Sequence, residues 1–233
     1  MEITNLEQNI SDIQKSIQLH CKNCGRDTAD VALIAVSKTR SIPTILKAVD
    51  CGMLDLGENK AQEIRDKYNH FSTDVRWHMI GHLQTNKIKY IIDKVVLIHS
   101  VDSIKLAKAI DKEASKKQII MPILIQLNLS HEDSKFGIDE SRLYDMVTSI
   151  ARLTHIKIEG LMTVAPYVVD SEENRPIFRK MKDISVDIAS KNIDNVSMRM
   201  LSMGMSGDYG VAIEEGATMI RVGTSIFGKR DYS

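Results

Sequence analysis

Apolar and polar positions follow two different rhythms along this chain. Near the start, Ile3, Leu6, Ile10, Ile13 and Ile17 recur every three or four residues, which lays one apolar stripe along an amphipathic helix. The chain then turns through CKNCGRDTAD into VALIAV, a run with no polar break. Comparable apolar or β-branched runs follow at 53–56, 75–80, 95–99, 123–129, 156–164, 197–201 and 219–222, after the first at 31–36. Stretches of helical period lie between them, among them 42–49, 104–114, 143–153 and 177–189. Pro43 falls in the first turn of the 42–49 stretch, where its missing N–H costs nothing.

Eight strand candidates, each followed by a helix candidate, predict a parallel sheet. Near-continuous apolar strands suit a sheet covered on both faces. Eight such repeats in 233 residues match an α/β fold of the (β/α)₈ TIM-barrel type, whose usual length is around 250 residues. A doubly wound open sheet is the alternative, but no G-x-G-x-x-G follows the first strand. No Pro/Gly/Ser-rich linker or low-complexity segment interrupts the chain. Residues 1–233 therefore read as one barrel domain, with residues 1–25 as an extra helix on its outside or bottom.

Bulk composition narrows the function. Apolar residues make up 43% and charged residues 27%, with 31 basic against 31 acidic side chains. No basic block or aromatic-basic interleaving marks a nucleic-acid footprint. No apolar run approaches the roughly 18 residues of a membrane span. The segment MEITNLEQNISDIQK lacks the basic-then-apolar order of a signal peptide, so cytoplasmic residence is expected. Three cysteines, Cys21, Cys24 and Cys51, make no disulfide framework. Cys21 and Cys24 have C-x-x-C spacing but neither a second ligand pair nor a thioredoxin-like context, and read as a polar helix end. His78 and His82 stand four apart in a strand-to-loop context with no evident further ligand, so no metal is expected. The twelve methionines read as core filler, with Met203 and Met205 as pocket lining around Gly204. Asp183 and Asp187 read as solvated.

The first strand candidate ends in Ser37, Lys38, Thr39 and Arg40. In barrels, active groups sit where strands end. Lys38 is then either a snorkelling lysine with its ammonium in water or a Schiff-base lysine. Schiff-base chemistry needs a neutral amine, and a free lysine titrates near pH 10.4, so it needs a low-dielectric site. The far end of the chain bears on the choice. Phosphates often bind between the loops after strands seven and eight of a barrel. Here the seventh strand candidate runs into SMGMSGD, and the eighth into Gly223, Thr224 and Ser225. Both loops offer glycine for close backbone approach beside a hydroxyl. A helix starting at about Gly207 would add free N–H groups. An aldehyde-reactive lysine across the mouth from a phosphate cradle points to pyridoxal 5′-phosphate (PLP).

The segments AVSKTR, GENKAQE, WHMIGHLQTNK, GLMT and LSMGMSGDYGVAIEEGATMIRVGTSIFGKR together resemble the pyridoxal phosphate homeostasis protein family, in order and spacing, from about residue 31 to 230. The resemblance implies a barrel like the N-terminal domain of alanine racemase, covalently bound PLP and no established reaction. By motif it makes Lys38 the Schiff-base lysine. It places Ser206 and Gly207 in one phosphate loop and Gly223 and Thr224 in the other. Arg221 matches the arginine facing the pyridine nitrogen, and Asn59 a residue lining the pocket. His78, Ile80 and Ser202 are further candidates. Lys60 and His131 depart from the family pattern and bear only on the pocket rim.

A guanidinium at the ring nitrogen stays protonated and disfavours a protonated pyridine. The ring is then a weak electron sink, which suits holding the aldehyde better than carbanion chemistry. Racemization is the enzyme alternative. It needs two bases, and in alanine racemase the second is a tyrosine from an added β domain, for which this sequence has no counterpart after its eighth strand. Tyr167 and Tyr209 are the possible substitutes. A class I aldolase-like enzyme and a non-catalytic interaction module also remain open. The favoured expectation is a monomeric carrier or buffer that supplies PLP to apo-enzymes, without a catalytic residue of its own.

Overall fold

The apolar runs become eight parallel strands that close on themselves. The computed structural model describes residues 5–130 and 136–228. In chain order the elements are α1 (Leu6–Asn23), β1 (Ala32–Val36), α2 (Ile42–Asp50), β2 (Asp55–Glu58), α3 (Ala61–Lys67) and β3 (Arg76–Met79). They continue with β4 (Val95–Val101), α4 (Ile104–Lys117), β5 (Met121–Leu127), α5 (Leu143–Ile150), β6 (Ile156–Thr163) and α6 (Arg175–Ser190). The last are β7 (Val196–Met205), α7 (Tyr209–Glu214), β8 (Met219–Val222) and α8 (Thr224–Phe227). Each strand pairs in parallel with its sequence neighbour, and β8 returns to β1 with Leu33 opposite Ile220 and Ala35 opposite Val222. This is the (β/α)₈ barrel, not the open sheet.

Strand parity separates two apolar layers, because alternate residues face opposite sides of a sheet. Trp77 and Met79, Leu201 and Met203, and Ile220 and Val222 belong to the large core between barrel and helices. Leu97, Leu124 and Met162 form a separate small cluster, with Met200 and Met219 against it, inside the barrel. His78, His99, Ser202 and Arg221 share the inward parity. The barrel interior is therefore partly polar, and all four side chains are buried.

The stripe on α1 buries Leu6, Ile10, Ile13 and Ile17 and continues to Cys21; Ile3 lies outside the described residues. Cys21 is thus a core residue, not part of a polar end, and burial pushes its thiol pKa up. Cys24 caps the helix, its Sγ donating to the His20 carbonyl at 3.1 Å. The helix packs outside the barrel, on α7 and α8. The following turn ties it down: Arg26 Nη1 donates to the Ile213 and Ala217 carbonyls, each at 2.8 Å.

Several boundaries differ from the pattern-based expectation. The second strand starts at Asp55 instead of residue 53, because pairing with β1 and β3 sets its register, with Leu56 opposite Ala35 and Asp55 opposite Arg76. Strand β5 likewise ends at Leu127. After β3 the connection is a 3₁₀ segment, Thr85–Tyr90, not an α-helix, and it buries only Ile88. Strand β7 continues past residue 201 to Met205, because Ser202 and Met205 pair with Met219 and Arg221 of β8. The helix expected at Gly207 starts at Tyr209, behind Asp208, and is six residues long. Its brevity leaves the cradle to the loops themselves. Among the described residues, no helix is long and apolar enough to cross a membrane.

Candidate functional site

The exit from β1 is braced from below. Ser37 N–H still pairs with the Gly57 carbonyl at 3.0 Å, and the Arg40 N–H closes a turn on the Ser37 carbonyl at 3.1 Å. Thr39 adopts φ 64°, a conformation uncommon for a non-glycine residue. Its N–H donates to Glu63 Oε2 at 2.8 Å. Lys67 Nζ donates to Glu63 Oε2 (2.8 Å), to Glu58 Oε1 (2.8 Å) and to the Ser37 carbonyl (3.0 Å). Ser37 Oγ donates to the same Glu58 oxygen at 2.7 Å. Both neighbours of Lys38 are therefore clamped while Lys38 itself is half-buried at the barrel mouth. Burial pushes the Glu58 carboxyl up to about 7, against the opposing pull of Lys67 and Ser37. Its Oε2 is buried with no hydrogen-bond partner among the described residues.

Across the mouth, the loops after β7 and β8 are stitched together. Ser206 Oγ accepts the Gly223 N–H at 3.3 Å and that of Ser225 at 3.5 Å. Gly204 turns the chain with φ 87° where a Cβ would come within 2.6 Å of the Ala212 Cβ. Asp208 accepts the Met205 N–H at 2.6 Å through Oδ1 and Asn174 Nδ2 at 2.8 Å through Oδ2. At Gly207 an added Cβ would meet nothing within 4 Å, so the backbone there borders open space.

Between the two sides lies a cavity of about 430 Å³. Lys38, Asn59, Ser206, Gly207, Arg221, Gly223 and Thr224 all line it, so these seven residues selected from the sequence meet in one place. Three cations, Lys38, Arg40 and Arg221, stand in its wall against one carboxylate, Asp208. That balance suits an anion such as a phosphate ester, which carries about −1.5 to −2 charges near pH 7. Arg221 is 4% exposed. Its Nη1 donates to Ser202 Oγ at 2.6 Å and its Nη2 to the Thr163 carbonyl at 2.8 Å. Burial lowers its pKa to about 10, partly offset by Asp208, so the guanidinium stays charged at neutral pH.

The sequence carries its own kinship. The alanine racemase N-terminal domain model matches residues 5–231. The pyridoxal phosphate homeostasis protein of Aquifex aeolicus is 41% identical over 97% of this chain and 98% of its own length. That of Escherichia coli K12 is 34% identical, with 99% of each covered. This chain belongs to the pyridoxal phosphate homeostasis protein family. Among solved structures, PipY of Synechococcus elongatus with PLP bound superposes with a TM-score of 0.81 at 31% identity, covering 91% of this chain and 100% of PipY. PipY without PLP gives 0.86 at 30% identity, covering 96% and 100%. An alanine racemase of Clostridium difficile shares the fold alone, with a TM-score of 0.71 at 15% identity.

Against this family background, the remaining candidates divide. Ile80 and Met205 line the cavity, whereas Met203 is fully buried in the outer core, because the turn at Gly204, φ 87°, and the register shift between Ser202 and Met205 break the strand alternation that would put both methionines on one face. His78 and Ser202 lie below the cavity in the barrel interior. His82 points elsewhere, pairing with Asp102 at 3.3 Å and stacking on Phe136. Among the described residues, no group of three metal-ligating side chains is placed to hold an ion. Tyr167 lines the cavity rim and is 96% exposed, while Tyr209 opens α7 and packs against the core. Lys60 is exposed before α3, and His131 lies outside the described residues. Sequence reasoning missed Arg40, Val164, Pro166, Asn174 and Asp208. Asp208 and Arg40 adjoin the selected motifs and were legible there; Asn174 arrives from the segment before α6 and left no local signal.

Proposed function

We propose that this chain binds pyridoxal 5′-phosphate, holds it covalently through Lys38, and acts as a carrier or buffer of it. The observation that supports this best is the convergence of an amine, a guanidinium and two glycine-hydroxyl loops on one cavity. The names of the relatives and the PLP-bound PipY support the same reading. PLP supplies an aldehyde that condenses reversibly with a primary amine, releasing water, and a phosphate.

In this reading the chain's residues divide the work. Lys38 provides the amine from a turn that Glu63 and Lys67 hold on both sides. Ser206, Gly207, Gly223 and Thr224 hold the phosphate, and Asn59 lines the ring pocket. Arg221 faces the ring nitrogen as a cation and keeps it from taking a proton. That disfavours carbanion chemistry and leaves storage and release as the role, in the cytoplasm, from a monomer, with apo-PLP enzymes as recipients.

The test is an absorption spectrum with added PLP for wild type and Lys38→Ala, followed by borohydride reduction and peptide mass spectrometry. The expected result is a Schiff-base band in wild type alone and a reduced adduct on the Lys38 peptide. No band, or an adduct scattered over surface lysines, overturns the reading. A racemization assay on the loaded protein separates carrier from enzyme: turnover of an amino acid would replace the carrier role.

A further inference from the structure

Five side chains from five strands form an unbroken hydrogen-bonded chain through the barrel interior. Asp55 opens β2, His78 lies on β3, His99 on β4, Ser202 on β7 and Arg221 on β8. Asp55 Oδ1 lies 3.0 Å from His78 Nε2, and His78 Nδ1 lies 3.0 Å from His99 Nε2. His99 Nδ1 lies 2.9 Å from Ser202 Oγ, which accepts from Arg221 Nη1 at 2.6 Å. His99 and Ser202 are fully buried, and His78 is 4% exposed. One end lines the cavity at Arg221. The other reaches the opposite end of the barrel, where Asp55 is clamped by the half-exposed Arg76 through two bonds of 2.7 and 2.6 Å.

Donor and acceptor inventory gives the chain a direction. Arg221 can only donate, so Ser202 Oγ accepts from it. Burial pushes the Asp55 carboxyl up, but its bonds to His78 and Arg76 outweigh that and hold it down to about 2, so Asp55 can only accept. With neutral imidazoles, every group is satisfied in one arrangement. Ser202 donates to His99 Nδ1, His99 Nε2–H donates to His78 Nδ1, and His78 Nε2–H donates to Asp55. Both histidines then carry their proton on Nε2. Burial, with His78 and Arg221 nearby, keeps His99 neutral.

The geometry points to a one-way relay in which His78, His99 and Ser202 position the Arg221 guanidinium and report protonation of His78 to it. If His78 gains a proton, it donates at both nitrogens. His99 stays neutral but must accept at Nε2 and present its proton at Nδ1. Ser202 Oγ then receives from both His99 and Arg221, and its own hydrogen leaves the chain. One proton enters in all, and the bond that holds Arg221 changes. The charged groups facing the relay are Asp55 and Arg76 at one end and Arg221, with Asp208 beyond it, at the other. The effect on PLP rests on the proposed function above, but the relay itself does not.

The deciding experiment uses the full chain without PLP, labelled with ¹⁵N-histidine. Two-bond proton–nitrogen spectra are recorded from pH 8 to pH 5, with signals assigned from His78→Asn and His99→Asn. The expected result is Nε2–H on both histidines at pH 8, with His99 found as Nδ1–H in whatever fraction of the protein carries both protons on His78. His99 in the Nδ1–H form at pH 8, or one unchanging His99 tautomer throughout, overturns the relay. A second arm loads PLP and compares its release rate at pH 8 and pH 5.5. His99→Asn keeps an acceptor for Ser202 but cannot reach His78, so the pH ratio of wild type should collapse towards one. His82→Asn, outside the chain, should keep it. A wild-type ratio retained in His99→Asn overturns the coupling. Failure to load PLP at all counts against the proposed function, while the tautomer spectra still decide the relay.

Discussion

Replacing Glu58 by glutamine should remove a pH-dependent strain from beneath Lys38. Glu58 is fully buried, and burial lifts its pKa from 4.5 to about 7. In this window the folded chain holds a proton that the unfolded chain has lost. Stability is therefore complete below about pH 4.5 and declines as pH rises towards 7, after which the loss is constant. The rise spans about 2.5 pH units, which amounts to a total on the order of 3 kcal/mol, most of it lost between pH 5 and pH 8. Glutamine keeps an oxygen for Ser37 and Lys67 but never ionises. The gap between variant and wild type should thus move by roughly 2–3 kcal/mol in the variant's favour from pH 5 to pH 8. His99 works oppositely: its lowered pKa stabilises the fold above about 6.5 and is lost on acidification. That contribution is common to both proteins and cancels in the comparison. Urea unfolding of PLP-free protein, followed by circular dichroism, reads the difference as a midpoint shift of roughly 1 M. A gap that stays constant across this range would show that Glu58 is already ionised by its bond to Lys67, and the argument would fail.

Three further substitutions probe the cavity and its support. Gly204→Ala puts a side chain at φ 87° and within 2.6 Å of the Ala212 Cβ. It should lower stability by about 1–3 kcal/mol and weaken PLP binding, read by thermal melting and absorbance titration. Gly81→Ala drives a Cβ into the backbone of Asn59, so it should displace the cavity wall and weaken PLP binding while the far-ultraviolet spectrum stays unchanged. Phe178→Ala empties a fully buried position on α6 and should cost about 3–5 kcal/mol in denaturant unfolding. Retained Lys38 labelling at low denaturant would show that the site survives this loss.

Much of this molecule was legible in one dimension. Apolar runs and three-or-four spacing located all eight strands and the long helices, because burial imposes those periods locally. Motifs around Lys38, Asn59, Ser206 and Gly223 named residues that do share a cavity. Element ends were less legible. Strand β7 extends to Met205 only because β8 offers it partners, and the Thr85–Tyr90 connection has too few apolar positions to declare its helix type. Cys21 read as polar because its helix stripe was followed only as far as Ile17.

Sequence by itself determined the repeating strand-and-helix order, a parallel sheet covered on both faces, and the kinship that names a PLP-linked family. Tertiary structure alone decided what those faces meet. Residues 55, 78, 99, 202 and 221 are scattered along the chain, and barrel closure and strand register bring their side chains to hydrogen-bond distance. The same holds for Glu58 and Lys67 beneath the lysine turn. Burial patterns are local and survive in any window of sequence. A hydrogen bond needs a few ångströms and a direction, and only the closed sheet supplies both.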